Sequence, residues 1–299
     1  MSPGRRPSAV EVRSSSDRIF IAPVERRNAM LDLISGARER LVLSLFRLDD
    51  FGILDALAAA LDRGVKVEAI VTKRAKGKKR LRQLWEALEE IGAVVHRYAD
   101  PVVKYHAKYL VADERVALVT TLNPTKKCFT TTWDFVLTTR DRTVTRSLST
   151  LFTLDAAGER VVPRHKISRR LIVGPEGARG RMRALIMSAR RSIKILDHKL
   201  SDPDLVALLR ERRAHGIAVS VIGAQPVASL VPHGKLMIVD ESRAVVGSMA
   251  MSALSLDFRR EVSILAETPA VVRALNKFYQ TLSESAGASM FVLPGDRAA

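Results

Sequence analysis

The chain has 299 residues, a formal net charge of +17 and a hydrophobic fraction of 47%. These values exclude a polar disordered chain and allow one large domain or two ordinary ones. The charge indicates an anionic partner, and nucleic acid and an anionic membrane surface both fit. Genomic base composition that favours arginine is the alternative explanation. The single cysteine, Cys128, excludes an intramolecular disulfide and is predicted to be a small apolar filler.

The first 17 residues are predicted to form a flexible basic leader. They contain no apolar segment of the kind that a cleaved signal peptide needs. No apolar run in the chain approaches the length of a membrane span. We therefore expect a cytoplasmic protein, with a peripheral position at the membrane as an open alternative.

From residue 18 onward, short apolar runs alternate with amphipathic segments. The pattern predicts strands at residues 18–21, 41–46 and 65–71, and helices at residues 24–40 and 53–62. Alternation of this kind indicates an α/β domain with parallel strands.

The second half of the chain repeats this order. Pro175 matches Pro23 and Gly216 matches Gly64, both 152 positions apart. Arg47 and Lys199 match at the same offset, each just after a predicted buried strand, where they would add positive potential to a site or face solvent. The repeat predicts a first half at residues 18–154, a linker at 155–169, a second half at 170–285 and a tail at 286–299.

A short motif occurs once in each half. His106 and Lys108 are followed by Asp113, and His233 and Lys235 are followed by Asp240 with the same spacing. The two copies lie 127 positions apart. Two acids, Asp134 and Glu261, are separated by the same 127 positions. One His-x-Lys is common by chance, but two copies with acids at matching offsets indicate a function.

The residue types suit chemistry at a phosphodiester. Side chains two residues apart on a strand point to the same face, so each His and Lys would project together. Lysines neutralise phosphate oxygens, while one imidazole attacks phosphorus and the other protonates the leaving oxygen. Asp134 and Glu261 are plausible acceptors for the far ring nitrogens, one for each histidine.

These two His-x-Lys-x4-Asp motifs resemble those of the phospholipase D superfamily. The resemblance implies two pseudo-twofold α/β halves, with mostly β-sheet cores flanked by helices and one shared active site. It also implies a phosphohistidine intermediate without a metal, with His106 as nucleophile and His233 as general acid. In that family the Asp of each motif is mostly a supporting residue, and Asp113 and Asp240 take that place in the catalytic set.

The chain departs from the family in the Gly-Ser-x-Asn that usually follows the Asp. The second copy keeps Gly247 and Ser248 but has Ala250 in place of Asn, whereas the first keeps Asn123 after Thr121. Lys108, Lys235, Asn123, Thr121 and Ser248 are the expected phosphate contacts.

The first half has 25 residues more than the second between the strand after Gly64 and its motif. This insertion, within residues 72–97, predicts an amphipathic helix followed by a short apolar run. It begins with a basic run that we expect to be loop-like and to grip phosphates, with a solvated charge run as the alternative. The run consists of Lys73, Arg74, Lys76, Lys78, Lys79, Arg80 and Arg82.

Three functions remain open from the sequence. The first is a phospholipase D-like or cardiolipin synthase-like enzyme on phospholipids, and the second is a nuclease on the DNA or RNA backbone. The third is a degenerate repeat that binds polyanions without catalysis. No cofactor is expected, since no cluster has metal-ligand spacing. A monomer is plausible because both motifs lie in one chain. The four histidines outside the motifs are predicted to be surface or packing residues: His96, His165, His198 and His215.

Overall fold

The computed structural model describes residues 17–74, 78–223, 230–286 and 293. These residues form a mixed α/β fold in which two sheets are flanked by helices, as the sequence predicts. The elements of the first half, in chain order, are β1 (Arg18–Phe20), α1 (Pro23–Ser35), β2 (Arg40–Leu45), α2 (Phe51–Asp62), β3 (Lys66–Thr72), α3 (Lys78–Glu90), β4 (Val94–Tyr98), β5 (Lys104–Tyr105), β6 (Tyr109–Ala112), β7 (Val116–Thr120), α4 (Lys126–Thr130), β8 (Thr132–Trp133), β9 (Val136–Thr139) and α5 (Arg142–Ala157).

The second half follows a 3-10 turn at Pro163–His165. Its elements are β10 (Leu171–Gly174), α6 (Ala178–Met187), β11 (Ser192–Leu196), α7 (Pro203–Ala214), β12 (Ala218–Ile222), β13 (Val231–Pro232), β14 (Leu236–Val239), β15 (Arg243–Gly247), α8 (Ala253–Phe258), β16 (Arg259–Ala266) and α9 (Pro269–Ala286). The helix α5 extends three residues past the predicted end of the first half, and the domain boundaries stay a prediction.

The two sheets have corresponding strand orders. The first runs β1-β9-β7-β6-β2-β3-β4 and the second runs β10-β16-β15-β14-β11-β12. Strand by strand the orders match until β3 and β12, after which the first sheet continues into β4. The extra strand β4 and the helix α3 before it occupy the insertion that the sequence predicts.

Strand direction differs from the sequence prediction in part of each sheet. The strands β2, β3 and β4 are parallel, but the motif strand β6 runs antiparallel to β2 and to β7. A tight turn of three residues, 113–115, joins β6 to β7, and within it Asp113 and Glu114 have φ values of 54° and 52°. A hairpin loop this short makes the two strands that it joins antiparallel. Asp240 and Glu241 form the equivalent turn, with φ values of 52° and 55°.

One apolar core is shared by the two halves. It contains Tyr105, Leu137 and Phe152 from the first half together with Ile264 and Tyr279 from the second. Two further cores lie on the outer sides, one between the first sheet and α1 and α2, the other between the second sheet and α6 and α7. Burial of apolar surface in the shared core holds the halves together and fixes the position of the site between them.

Two short parallel pairings cross from one half to the other. The strand β5, which leads into His106, pairs with the start of β16, and β13, which leads into His233, pairs with β8. The backbone N–H of His106 donates to Arg260 O at 2.9 Å, and that of His233 donates to Trp133 O at 3.2 Å. Each motif is therefore anchored beside the acid-bearing segment of the other half.

Candidate active site

The imidazole of His106 is oriented by a carboxylate from the second half. Its Nδ1 lies 2.9 Å from both oxygens of Glu261, which also accepts a 2.8 Å hydrogen bond from Ser255 Oγ. Since a carboxylate is an acceptor, Nδ1 carries the proton and Nε2 keeps its lone pair. Burial lowers the pKa of His106 to about 3, although Glu261 acts in the opposite direction. At neutral pH the ring is uncharged.

His233 is oriented in the same way by a carboxylate from the first half. Its Nδ1 lies 2.9 and 3.1 Å from the two oxygens of Asp134. Asp134 also accepts hydrogen bonds from Thr121 at 2.6 Å and Thr132 at 2.5 Å. Burial lowers the pKa of His233, again against the attraction of the paired carboxylate. Each acid thus serves the histidine of the opposite half.

Both acids stay ionised although they are fully buried. Burial alone would raise the pKa of Glu261, but His106 and Lys108 outweigh it and hold the pKa below its usual value. The pKa of Asp134 is lowered in the same way, with His233 and Lys235 opposing the effect of burial. Ionised acceptors give the strong charge-assisted bonds that fix each ring.

The two motif lysines lie beside the histidines. Lys108 is 2% exposed and Lys235 is 5% exposed, and their Nζ atoms donate to His106 O at 2.8 Å and His233 O at 2.5 Å. Lys108 Nζ also lies 3.2 Å from both ring nitrogens of His106. Burial lowers the pKa of Lys108 to about 7, and the charge of Lys235 adds to the shift. The structure therefore brings together the two His-Lys pairs that the sequence predicts.

Asp113 and Asp240 lie away from these pairs, at the far ends of β6 and β14. Asp113 accepts hydrogen bonds from the backbone amides of Arg38, Glu39 and Arg40 at 2.9–3.0 Å. Asp240 accepts from those of Arg190, Arg191 and Ser192 at 2.7–3.1 Å. Both side chains hold the start of a neighbouring strand, which is the supporting role that the resemblance implies for them.

Two of the expected phosphate contacts have a different task. Thr121 and Ser248 are 0% and 1% exposed. Thr121 Oγ1 donates to Asp134 and accepts from Phe135 N, while Ser248 Oγ accepts from Val262 N at 3.0 Å. Both hydroxyls therefore hold the segments that carry the acids, which corrects their assignment to the phosphate.

Asn123 remains a candidate phosphate contact. Its side chain is half-buried, and its Oδ1 is buried without a hydrogen-bond partner in the described part of the chain. It follows β7 in the loop that leads to α4, close to the thiol of Cys128, whose pKa is raised by burial. A buried amide oxygen without a partner is costly. Because this unpaired atom is an acceptor, as phosphate oxygens are, a contact of Asn123 with phosphate would be made by its NH2 group and stays a prediction.

The basic run of the insertion is only partly loop. Lys73 and Arg74 are exposed at the end of β3, and Arg74 donates to Pro101 O at 2.9 Å in the segment before β5. Lys76 lies outside the described residues. The helix α3 already begins at Lys78, and within it Arg82 forms an ion pair with Glu86 at 3.4 Å. Lys73 and Arg74 therefore stay predicted substrate contacts, and the part of the run from Lys78 onward belongs to a helix, not to a loop.

Sequence reasoning missed two residues of the site. The ring of His198 stacks on that of His233, with centroids 5.7 Å apart and planes at 28°. The clue in the sequence was that His198 lies 152 positions after Phe46. The ring centroid of Phe46 lies 4.8 Å from that of His106. The second missed residue is Arg259, whose Nη1 lies 3.9 Å from Glu261 Oε1. Its charge also disfavours protonation of His106.

Three potential metal ligands meet among the described residues. Side-chain atoms of Cys128, Asp134 and His233 lie within 4.8 Å of one another. Both oxygens of Asp134 already accept hydrogen bonds, and the guanidinium of Arg26 lies 3.9 Å away. A cation bound here would have to displace these bonds and tolerate the neighbouring positive charge.

Comparison with known proteins agrees with the fold and the motifs. Residues 30–155 match the family model described as cardiolipin synthase, PLD-like domain. Two solved structures are similar over almost the whole chain. Polyphosphate kinase from Porphyromonas gingivalis aligns with a TM-score of 0.74 and 19% identity over 94% of this chain and 50% of its own. Phosphatidylserine synthase from Haemophilus influenzae Rd KW20 aligns with a TM-score of 0.69 and 12% identity over 91% and 86%.

The fold and the duplicated site define a phospholipase D-like architecture. The resemblance to the phospholipase D superfamily that the two motifs predict is confirmed, with a family match in the first half and similarity of fold across both. The chain spans about half the length of the polyphosphate kinase it matches. The search of curated proteins found no match. Within the described ranges, no helix combines the length and apolar character that crossing a bilayer requires.

Proposed function

We propose that the protein is a phospholipase D-type phosphodiesterase or phosphatidyltransferase that works through a phosphohistidine. The observation that carries the proposal is the reciprocal pairing of His106 with Glu261 and of His233 with Asp134 at 2.9 Å. Each pairing leaves the other ring nitrogen free of the acid. Two imidazoles held in this way would provide one nucleophile and one general acid.

The reaction would proceed in two steps. In the first, Nε2 of His106 attacks phosphorus, the bond from phosphorus to the leaving alcohol breaks, and protonated His233 gives its proton to the leaving oxygen. In the second, neutral His233 takes the proton of water or of an alcohol as that oxygen attacks phosphorus. The bond from phosphorus to His106 then breaks, which restores the enzyme.

We assign His106 as the nucleophile by resemblance to two-motif members of the family, and its pKa, lowered by burial to about 3, keeps the ring uncharged at pH 7. Burial also lowers the pKa of His233, so the charge of the free rings does not by itself separate the two roles. The ammonium groups of Lys108 and Lys235 would neutralise the charge that develops on the non-bridging oxygens. The amide of Asn123 would contribute one further contact. Glu261 and Asp134 remain positioning residues that fix the two rings.

The preferred substrate is a phospholipid. The family match is to a cardiolipin synthase-like domain, and phosphatidylserine synthase shares the fold over most of both chains. Leu254 and Phe258 are exposed, 46% and 47%, one turn apart on α8 and directly before Arg259. Exposed apolar side chains next to an arginine suit contact with an anionic bilayer.

A nuclease is the second candidate, favoured by the exposed Lys73 and Arg74 at the end of β3 and by the net charge of +17. A polyanion-binding protein without catalysis is the third. Intact His and Lys side chains in both copies, each held in place, count against that third reading.

One assay separates these functions. The purified protein is offered vesicles of phosphatidylglycerol or phosphatidylcholine, and single- and double-stranded DNA, with a chelator present. Release of the headgroup alcohol supports an enzyme that acts on phospholipids, and cut DNA supports a nuclease. Salt-sensitive binding without turnover supports a polyanion-binding protein. The variants His106→Ala and His233→Ala should each lose turnover, and His215→Ala, on the surface at the end of α7, serves as the matched control. Turnover that persists in both motif variants contradicts the proposal.

A further inference from the structure

The two halves are chemically unequal at one pair of equivalent positions. Phe46 and His198 lie 152 positions apart, and they follow the equivalent strands β2 and β11 of the two sheets. Each ring packs against the motif histidine of its own half, Phe46 on His106 and His198 on His233. The first histidine therefore has an apolar ring beside it, and the second has a ring that can form hydrogen bonds.

The hydrogen-bonding state of His198 follows from its surroundings. Its Nδ1 is buried and has no hydrogen-bond partner in the described ranges. Burial lowers the pKa of His198 to about 3, and the charges of Lys235 and His233 add to the shift, so the ring is neutral at pH 7. An unpaired buried lone pair costs less than an unpaired buried N–H. The proton therefore resides on Nε2, and any hydrogen bond from the ring to a bound molecule must be donated by Nε2.

The symmetric set of two histidines and two lysines suffices for the chemistry at phosphorus. His198 adds a hydrogen-bond donor in one half only. We therefore expect it to contact a group that is present on only one side of the substrate phosphate. A phospholipid has such a difference, because its phosphate joins an apolar diacylglycerol to a polar alcohol.

Resting on the proposed function, we propose that His198 is a substrate-contacting residue that selects the alcohol of the diester, donating through Nε2 to a free hydroxyl oxygen of a polyol headgroup. The diacylglycerol side then lies toward Phe46 and His106, where the phosphatidyl group is held during the reaction. The alcohol lies toward His198 and His233, where it leaves and where an acceptor enters. The predicted substrate class is a phospholipid whose headgroup carries a hydroxyl near the ester oxygen.

Phosphatidylglycerol and phosphatidylpropanol form a matched substrate pair, because their headgroups differ only in two hydroxyl groups. The wild-type protein should show a higher kcat/KM for phosphatidylglycerol, by roughly three- to tenfold, the range of one neutral hydrogen bond. His198→Phe, which copies the first half, should bring this ratio close to one, because turnover of phosphatidylglycerol should fall more than that of phosphatidylpropanol. His198→Gln, which retains a donor, should keep part of the preference.

The surface variant His215→Phe should keep the wild-type ratio and controls for loss of a histidine. Turnover of phosphatidylpropanol by His198→Phe reports that the variant is folded, and His198→Leu is the second variant if it is not. An unchanged ratio in the folded variants, or an equal fall in kcat/KM for both lipids, would overturn the proposed role of His198 and leave the proposed function of the protein intact. If neither lipid is hydrolysed by the wild-type protein, or if His106→Ala still hydrolyses both, the proposed function fails first.

Discussion

His106 and Glu261 are separated by 155 residues, yet both carboxylate oxygens of Glu261 lie 2.9 Å from Nδ1 of the imidazole. The reciprocal contact joins His233 of the second half to Asp134 of the first half, which lies 99 residues earlier in the chain. Neither half on its own holds a histidine together with the acid that orients it. The site is therefore a property of the assembled pair of halves.

Removing the charge of either acid should reduce turnover without unfolding the protein. Glu261→Gln and Asp134→Asn keep the size of the side chain but weaken the charge-assisted bond and disturb the ring tautomer. We expect kcat to fall by about 10²–10⁴-fold in each variant, as for positioning carboxylates in other histidine-based sites. Circular dichroism and kcat measured on the same samples test this.

Glu267→Gln, which removes an exposed carboxylate between β16 and α9, is the matched control and should have wild-type kcat. Wild-type turnover in both acid variants would show that the reciprocal pairing has no catalytic importance.

The affinity for an oxyanion should depend on pH through Lys108. Because burial lowers its pKa to about 7, this lysine loses its positive charge as the pH rises through that value. Inhibition by sulfate, whose own charge is constant between pH 5 and 9, should therefore weaken above about pH 7. In Lys108→Arg the charge persists, since a guanidinium stays protonated throughout this range, and the loss of affinity should move to higher pH.

The measurement is the sulfate inhibition constant as a function of pH, with Lys126→Arg on the surface of α4 as control. An identical pH profile in Lys108→Arg and the wild type would assign the effect to another group.

Asp113 and Asp240 should matter for stability and not for turnover. Asp240→Ala removes the acceptor of three backbone amides and should lower the free energy of unfolding by about 1–2 kcal/mol. The pKa of Asp240 is lowered in the folded state, because these amide bonds and Arg191 outweigh burial. Its contribution is therefore present above its usual pKa near 4 and is lost as the pH falls through the lower folded value.

Urea denaturation of Asp113→Ala and Asp240→Ala at several pH values, together with kcat for the folded fraction, measures both effects. A large loss of kcat with unchanged stability would return the two residues to the catalytic set.

Arg260 ties the last helix of the first half to the second half. It is 1% exposed and donates to Asp155 at 2.8 Å, to Gly174 O at 2.6 Å and to Glu176 at 2.5 and 3.0 Å. Arg260→Met leaves two carboxylates without their cation and should lower the free energy of unfolding by about 3–5 kcal/mol. Arg183→Met, on the exposed side of α6, should have almost no effect in the same denaturation experiment. Equal stability of the two variants would contradict this role.

Much of the site was predictable because its residues recur at fixed offsets. The two His-Lys pairs and the two acids are local patterns, and β4 with α3 follows from the length difference between the halves. The partner of each acid was not predictable. It depends on two-residue pairings of β5 with β16 and of β13 with β8, which are too short to leave any periodicity in the sequence.

Strand direction and burial account for the remaining errors. Apolar runs such as residues 109–112 and 236–239 predict buried strands but contain no information on direction, which the hairpin turns at Asp113 and Asp240 determine. Thr121 and Ser248 have polar side chains in a motif region, and sequence alone does not reveal that both are buried against the segments that carry the acids. His198 was visible only by comparison with Phe46, a residue of a different type.

The central claim is that His106 forms a covalent bond to phosphorus while His233 handles the proton. In His233→Ala, bis(p-nitrophenyl) phosphate should still react once, because p-nitrophenolate leaves without a proton, and hydrolysis of the intermediate should then stall. Mass spectrometry of peptides should find an acid-labile p-nitrophenyl phosphoryl group on His106, and His106→Ala should show no such adduct. An adduct on another residue, or steady turnover of this diester without any adduct in His233→Ala, would contradict the account.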